Sequence, residues 1–291
     1  MTKPIQEPIE QRQPVENKYE VIQAEINHIA DSNPYIKTQR EIDLHKWFDW
    51  QKKTKSCGLV IEDRGSSLSK SCWDYCPKMP QPEKKLVSVP LDNFYVRASQ
   101  SGRATTLLID ILNAFCTPLN SGSLRELRKR VIGNLKVYQV KLLIVDDAHL
   151  LKREAMIELI RIYDDLRIPV VMTGVEDLQT KLDSSKEYKH IYNAFLKTHY
   201  YRKLTKDEVA SVVAAWEDEI LELWEEKLNL ADNEVIINTL YDRSGGLVLP
   251  LYDCLRNIAI AQLENTLNPS SEEGITIDQA IGFAQPPKVS M

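Results

Sequence analysis

Short apolar runs alternate with amphipathic stretches through the middle of this 291-residue chain. The apolar runs are residues 58–61, 142–145 and 169–172, with residues 86–89 or 94–96 as alternatives for one more. Residues 124–135 and 154–166 are amphipathic at helical spacing, and residues 106–115 predict an apolar helix. A continuous apolar run is typical of a strand buried on both faces, and strands that alternate with helices predict a parallel sheet with right-handed crossovers. The predicted fold class is therefore α/β, with helices flanking the sheet.

Helical patterns without strands flank this region on both sides. Residues 19–44 predict helices before the first strand, and from Leu204 onward only helices are predicted. Thr205 and Glu208 form a capping box at the start of this second region, and the Ser-Gly-Gly sequence at 244–246 interrupts it. The predicted organisation is a flexible tail over residues 1–18, an α/β core with N-terminal helices over 19–203, a small all-helical lid over 204–284 and a flexible tail over 285–291.

Composition narrows the environment of the protein. The N-terminal residues are polar and no apolar run is long enough to span a bilayer, so we expect a cytoplasmic protein with no membrane partner. Five cysteines form no paired framework, which fits a reducing compartment. Cys72 and Cys76 would share a helix face, but no further metal ligand lies near them in sequence, which favours two small buried side chains over a zinc site.

The net charge of -5 and the isoelectric point near 5.7 offer no overall attraction to nucleic acid. Any contact with DNA must therefore be local. Two basic segments are available for it: Lys52, Lys53 and Lys55 in the first, and Arg125, Arg128, Lys129 and Arg130 in the second. Solvated helix faces explain either segment equally well.

The first predicted strand runs into a serine-rich turn and then a helix, which is the order of a phosphate-binding loop. Such a loop surrounds the phosphates with backbone N–H groups and supplies a Lys for the terminal phosphates and a Ser or Thr for Mg²⁺. Lys70 and Ser71 match the end of the pattern G-x-x-x-x-G-K-[ST]. The two glycine positions hold Arg64 and Ser69, and Gly65 comes one residue late. A Cβ at Ser69 predicts weakened ATP binding, and a turn that merely caps a helix is the alternative.

Two acidic pairs accompany this loop. Glu62 and Asp63 bring negative charge to a site meant for a polyanion. Asp146 and Asp147 end a buried strand, where P-loop ATPases hold Mg²⁺ and orient the attacking water. Asp146 would bind the metal. Asp147 would be the catalytic residue in place of the usual Glu, and its shorter side chain would reach the water less well.

The run LLIVDDAHLL at residues 142–151, an amphipathic helix, and the run LRIPVVMTGVEDL at residues 166–178 occur in that order. This series resembles the Walker B to sensor-1 segment of the AAA+ DNA-transposition regulators called TnsC or TniB, and most of all TnsC of type V-K CRISPR-associated transposons. The likeness extends to residues 44–47, 55–57, 95–97, 202–204 and 255–256, and it covers roughly residues 21–283.

The resemblance implies a P-loop AAA+ core followed by a small helical lid. Members of this family bind ATP between subunits and assemble as rings or helical filaments around duplex DNA, and head-to-tail contacts are the kind that generate open helices. They link the target-selecting protein TniQ, with its CRISPR effector, to the transposase TnsB. ATP and Mg²⁺ are thus the implied cofactors, and duplex DNA, further copies of this chain, and TniQ-like and TnsB-like proteins are the implied partners.

Motif and resemblance together assign the nucleotide to Gly65, Ser69, Lys70, Ser71 and Asp146, and Mg²⁺ to Ser71 and Asp146. Other positions depart from the family. Val175 stands where sensor 1 is usually polar, with Thr173 nearby. Residues 192–196 contain no arginine finger, and Pro250 stands where the lid's sensor-2 arginine is expected. The loss of several such groups together predicts weak or absent hydrolysis.

For DNA, the resemblance points to Arg103, Thr105 and Ser123, which would contact phosphates without reading sequence. Three functions follow from these observations. The first is a TnsC-like adaptor that oligomerises on DNA with ATP bound weakly. The second is an active ATPase of the same family, with Asp147 as base and Arg202 acting on a neighbouring subunit. The third is a pseudo-ATPase that inserts into or caps assemblies of an active paralogue.

Overall fold

The computed structural model describes residues 13–76, 90–117, 121–221, 224, 228–267 and 276–283. The chain divides into two compact units, one of Lys37–Lys203 and one of Met1–Ile36 with Leu204–Met291. The predicted tail at 285–291, the first twelve residues of the predicted tail at 1–18, and the alternative strand at 86–89 lie outside the described residues. Among the described residues, no helix is both long enough and apolar enough to cross a membrane.

The first unit, Lys37–Lys203, is the α/β core. Its elements are α2 (Gln39–Thr54), β1 (Gly58–Glu62), α3 (Leu68–Tyr75), β2 (Asn93–Arg97), α4 (Ala104–Ala114), α5 (Leu124–Val137), β3 (Leu142–Asp146), a 3-10 turn (Ala148–Leu150), α6 (Arg153–Leu166), β4 (Val170–Val175), α7 (Glu176–Asp183), a second 3-10 turn (Lys186–Tyr188), α8 (Lys189–Ala194) and β5 (Lys197–Tyr201). The five strands form one sheet in the order β2-β3-β4-β1-β5, and every neighbouring pair is parallel. The predicted α/β fold class is confirmed.

Alternate residues of each strand point to opposite faces of this sheet, and both faces are covered by helices. On one face, Val60, Ile144 and Val171 pack with apolar residues of α2 and α3. On the other face, Leu59, Val145 and Met172 pack with residues of α4 to α8. β1, β3 and β4 read as nearly continuous apolar runs in the sequence because almost all of their side chains are buried on one face or the other.

β5 is absent from the elements that the sequence pattern predicts. It pairs with β1 through Lys197–Tyr201, at the edge of the sheet. Its burial is partial, since only Tyr201 is buried. An edge strand with one buried side chain has no apolar run to reveal it, and its β-branched and aromatic residues are the remaining signal.

In the described residues of the second unit, the regular elements are all helices. Its elements are α1 (Gln13–Asp31), α9 (Lys206–Ile220), a 3-10 turn (Leu230–Asp232), α10 (Glu234–Ser244), α11 (Val248–Leu267) and α12 (Ile277–Phe283). The predicted capping box of Thr205 and Glu208 is present at the start of α9. Trp216 and Leu255 are buried at the centre of this unit, which has its own apolar core.

The structure corrects two expectations for the N-terminal residues. Residues 13–18, expected in a flexible tail, are the first residues of α1. Residues 19–36, expected in the core, belong to the helical unit. Ile29 is buried in the apolar core of that unit, and Arg256 donates a 2.8 Å hydrogen bond to the carbonyl of Ser32. An amphipathic helix packs where its apolar side is covered, and the pattern along the chain does not say which partner covers it.

One loop of the core depends on a glycine. Gly102 lies between β2 and α4 with φ of +58°, and its carbonyl accepts a 2.8 Å hydrogen bond from Lys152 N–H at the start of α6. A Cβ added at Gly102 would lie 2.0 Å from the carbonyl oxygen of Leu150. Both the backbone conformation and the close approach therefore exclude a side chain.

We predict that Gly102→Ala destabilises the core by more than about 2 kcal/mol, because it combines an unfavourable φ with a backbone clash. Gly133→Ala in α5 is the matched control, since nothing lies within 4 Å of a Cβ added there. In a helix that substitution is expected to stabilise by about 0.5–1 kcal/mol. Denaturant unfolding of the two variants measures the difference, and equal stabilities would contradict the close packing of this loop.

Candidate nucleotide-binding site

The predicted site residues of β1 and β3 lie at the carboxyl edge of the sheet. Glu62 ends β1 and Asp146 ends β3, with β4 between these two strands. From β1 the chain crosses to β2 at one side of the sheet, and from β4 it crosses to β5 at the other. Ligands of open α/β sheets bind outside the carboxyl ends of the strands where connections diverge in this way.

The turn between β1 and α3 is tight. Ser66 N–H donates to the carbonyl of Asp63 at 3.1 Å, and Gly65 and Ser67 have φ of +89° and +73°. α3 begins at Leu68, so Ser69 and Lys70 are its second and third residues. The expectation that Ser69 occupies the strained glycine position is therefore wrong. The residue with a Cβ in the left-handed region is Ser67, two positions earlier.

Glu62 occupies the beginning of α3. Its carboxylate oxygen Oε2 accepts a hydrogen bond from the backbone N–H of Leu68 at 3.3 Å and another from the hydroxyl of Ser66. The pKa of Glu62 is raised to about 7, mainly by burial and also by the negative charges of Asp146 and Asp147, whereas the hydrogen bonds from Ser66 and Leu68 lower it. An acidic side chain thus lies where the backbone N–H groups of a phosphate-binding loop would meet a phosphate.

Ser71 is fully buried, and its contacts lead away from the strand ends. Its hydroxyl oxygen lies 3.4 Å from Nε2 of His45 on α2, and its backbone carbonyl lies 3.1 Å from the same nitrogen. The side chain therefore faces α2. As a Mg²⁺ ligand it would have to rotate or shift with its helix.

Asp146 is a buried carboxylate with three hydrogen-bond donors. Oδ1 accepts from the hydroxyl of Thr173 at 2.5 Å and from the N–H of Asp147 at 2.9 Å, and Oδ2 accepts from the hydroxyl of Tyr95 at 2.6 Å. Burial and the charge of Asp146 raise the pKa of Tyr95, so this phenol remains a donor. The three strands β2, β3 and β4 are thereby joined at their carboxyl ends.

Asp147, the predicted catalytic residue, is paired with a guanidinium. Its carboxylate accepts a 2.5 Å hydrogen bond from Nε of Arg97, whose side chain is largely exposed. The backbone of Asp147 has φ of +53°, which directs the chain into the 3-10 turn. An oxygen held by a guanidinium has less freedom to orient a water molecule.

A buried ionic cluster supports the turn from behind, and no sequence signal singles it out. The Arg40 guanidinium donates to the carbonyl of Ser66 at 2.7 Å and to that of Arg202 at 3.2 Å. Its Nε lies 3.1 Å from the carboxylate of Glu41, which also accepts from the hydroxyl of Tyr201. Arg40 and Glu41 are each only 2% exposed. The capping box of Thr38 and Glu41 is the one local pattern that could have marked this position.

The segments that lack family arginines have structural roles. In the region where an arginine finger is expected, Phe195 is buried in the apolar core of the sheet. Thr173, near the sensor-1 position, is the residue that bonds Asp146, whereas Val175 is half-buried at the end of β4. Pro250 lies in the first turn of α11, where its missing N–H breaks no helical hydrogen bond.

The three residues predicted to contact DNA lie at the beginnings of two helices. Arg103 is the N-cap residue of α4, Thr105 is the second residue of that helix, and both are exposed. Ser123 is the N-cap residue of α5, where its hydroxyl takes part in a capping box with Glu126. Helix capping alone therefore explains the presence of Ser123 at this position. It does not explain the presence of Arg103 or Thr105.

These helix starts face the same edge of the sheet as Asp146. Phe115 and Tyr138, which follow α4 and α5, stack with ring centroids 5.1 Å apart. Leu91, just before β2, donates its N–H to the carbonyl of Tyr138 at 2.7 Å. Both helices therefore end at the amino edge of the sheet and begin toward its carboxyl edge.

The two basic segments are partly engaged within the core. Arg128 forms two hydrogen bonds, of 2.5 and 2.8 Å, with the buried carboxylate of Glu158 on α6. Lys52 pairs with Asp49 at 2.9 Å. Arg128 thus holds α5 to α6, and Lys52 is balanced by a neighbour on its own helix.

The side chains only partly fit a Mg-nucleotide. Asp146 lies where a metal-binding carboxylate is expected, but its oxygens already have donors, and the hydroxyl of Ser71 faces His45. In the part of the chain that the structure describes, no three His, Cys, Asp or Glu side chains are grouped to hold a metal ion. A P-loop site usually takes Mg²⁺ from one or two carboxylates plus the phosphates themselves, so bound phosphate would have to complete it.

Comparisons with known proteins support the α/β fold described above. Residues 51–182 match the family model described as an AAA domain. No curated protein matches the chain. Among solved structures, the Aeropyrum pernix ORC2 protein in its ADPNP-ADP complexes is 13% identical with a TM-score of 0.60, covering 88% of this chain and 72% of that one. Its ADP form is 11% identical with a TM-score of 0.58 and the same coverage.

A further similar structure, Drosophila ORC bound to DNA, is 10% identical with a TM-score of 0.54, covering 96% of this chain and 69% of that one. Identities this low support a common fold alone. Residues 51–182 are thus similar to an AAA domain, and the chain has the fold of a P-loop AAA+ protein, an α/β core followed by a helical C-terminal part.

Proposed function

We propose that this protein is a TnsC-like AAA+ regulator of DNA transposition, which oligomerises on duplex DNA and connects target selection to the transposase. Its implied partners are TniQ-like and TnsB-like proteins. The proposed nucleotide binding rests on one observation: β1, the turn after it and α3 lie beside the buried Asp146, within the region that matches an AAA domain. The ordered series of motifs from residue 142 to residue 178 supports assignment to this family.

The geometry favours weak nucleotide binding. Glu62 already accepts the Leu68 N–H at the start of α3, and the hydroxyl of Ser71 faces α2. A nucleotide must displace the carboxylate of Glu62 and reorient the hydroxyl of Ser71. Both rearrangements cost free energy and so weaken nucleotide binding. We assign Lys70 as the cationic group and Asp146 as the metal-binding group of this site.

The geometry also favours slow hydrolysis. Asp147 is shorter than the usual Glu and is held by Arg97. Arg202 is an exposed arginine that directly follows β5, and the active-ATPase alternative assigns it a role on a neighbouring subunit. In this proposal, the protein uses the nucleotide mainly for assembly, and ATP hydrolysis is a minor activity.

Binding of DNA is proposed from local charge. The overall charge of -5 opposes it, so the exposed Arg103 at the start of α4 must contribute. A helix start adds backbone N–H groups that attract phosphate. The likeness to Drosophila ORC bound to DNA adds support at the level of fold.

We predict that the protein binds Mg-ATP with a dissociation constant above about 10 µM, a binding free energy weaker than about −7 kcal/mol. Lys70→Ala should weaken this at least tenfold. Lys141→Ala is the charge-matched control, because Lys141 lies at the amino edge of the sheet and pairs with Asp92. A fluorescent-nucleotide titration with and without duplex DNA makes the measurement. Sub-micromolar binding with brisk, DNA-stimulated turnover would contradict the proposal of a weakened site.

We predict that Arg103→Gln weakens binding to duplex DNA uniformly across sequences and lowers the slope of log K against log salt by about one. Lys141→Gln removes the same charge at the opposite edge and should leave the slope unchanged. Fluorescence anisotropy with two unrelated duplexes over a salt series gives both quantities. An unchanged slope for Arg103→Gln would remove this residue from the DNA contact.

Two further candidate functions predict different outcomes. An active ATPase that uses Asp147 as base should lose turnover in Asp147→Asn, and a wild-type rate in that variant excludes it. A pseudo-ATPase that caps assemblies of an active paralogue should form no filament by itself. Electron microscopy of the protein with duplex DNA and Mg-ATP decides that case, since a filament of this chain alone excludes the capping function.

A further inference from the structure

We infer that Glu62 is a built-in competitor of phosphate, a side chain that determines which ligands the site at the start of α3 accepts. The inference rests on the proposed nucleotide binding, and it specifies which phosphate ligands the same site accepts. The sequence motif predicts a phosphate at the start of α3, whereas the structure has the carboxylate of Glu62 there. The backbone N–H of Leu68, which a phosphate would use, is already given to a carboxylate of the same chain.

The contacts of Glu62 imitate those of a bound oxyanion. One oxygen receives a backbone N–H from the first residue of α3 and a hydroxyl from Ser66 in the turn. A positively polarised helix start stabilises any negative group at this position, whether it belongs to the protein or to a ligand. A phosphate oxygen offers the same two donors a comparable partner, so the two anions compete for one place.

The carboxylate is held there against repulsion. Asp146 and Asp147 lie close enough to disfavour its negative charge, and burial removes it from water. Glu62 is the last residue of β1, so its side chain can swing toward solvent without breaking the pairing of β1 with β4 and β5. A carboxylate that returns to water regains its hydration, which offsets part of the two lost hydrogen bonds.

The same three carboxylates set the requirement for the ligand. A bare phosphate entering beside Asp146 and Asp147 meets two negative charges as well as the one it displaces. A divalent cation carried by a polyphosphate would reduce this repulsion, and Asp146 and Asp147 would be the groups that attract it. The site is therefore selective for a metal-complexed di- or triphosphate, and it disfavours a monophosphate or free inorganic phosphate.

The matched pair Glu62→Gln and Asp63→Asn tests the competition. Both remove one negative charge from neighbouring residues, but only Glu62 contacts α3, whereas Asp63 is exposed and lies 3.8 Å from Lys203. We expect Glu62→Gln to bind Mg-ATP at least tenfold more tightly than the wild type. Asp63→Asn should change the affinity for Mg-ATP less than threefold. Inorganic phosphate, titrated in the same assay as a displacer, should gain affinity in Glu62→Gln alone.

A second measurement does not depend on any ligand. Residue-resolved amide hydrogen exchange of Glu62→Ala should show the Leu68 N–H exchanging at least tenfold faster, with no such change in Asp63→Ala. An unchanged Leu68 rate overturns the inference whatever the nucleotide does. Equal Mg-ATP affinity in the wild type and Glu62→Gln overturns the competition alone, whereas no binding to any of these proteins overturns the proposed function and the competition together.

Discussion

The carboxylate of Asp146 is the interaction on which the functional edge of this protein depends. It is 1% exposed and carries hydrogen bonds from Tyr95 of β2, from Thr173 of β4 and from the backbone of Asp147. A buried charge is tolerated only when donors replace its lost hydration. Because those donors come from both neighbouring strands, satisfying this one group also aligns the strand ends and the loops that follow them.

The loops beyond these strand ends are held by contacts within the protein. Arg97 holds Asp147, and Arg40 holds the turn before α3 through the carbonyl of Ser66. Glu62 satisfies the start of α3. These contacts hold the loops at the carboxyl edge through side chains of the protein itself. Function belongs to the site and not to the fold, and the AAA+ fold here does not by itself imply fast hydrolysis.

Negative charge governs what this edge can bind. Three carboxylates meet near the beginning of α3, while the exposed Arg103 lies at the start of α4, toward the same edge. Polyphosphate and duplex DNA are both polyanions, so the proposed binding of either one to a protein with a net charge of -5 would depend on few, well-placed cations. Assembly of several subunits along DNA would multiply each weak contact, which fits an oligomeric regulator better than a solitary enzyme.

The sequence by itself determined the parallel α/β core, the helical part after residue 204 and the acidic pair after the apolar run at 142–145. These features follow from local periodicity and capping, which a chain carries in its own order of residues. Only the tertiary structure decided that Glu62 fills the start of α3, that Ser71 faces His45, and that α1 joins the helical unit. Each of these depends on side-chain direction or on partners distant in sequence, such as Arg40 against Ser66, and the free energy of such contacts is set by packing and desolvation that no local pattern encodes.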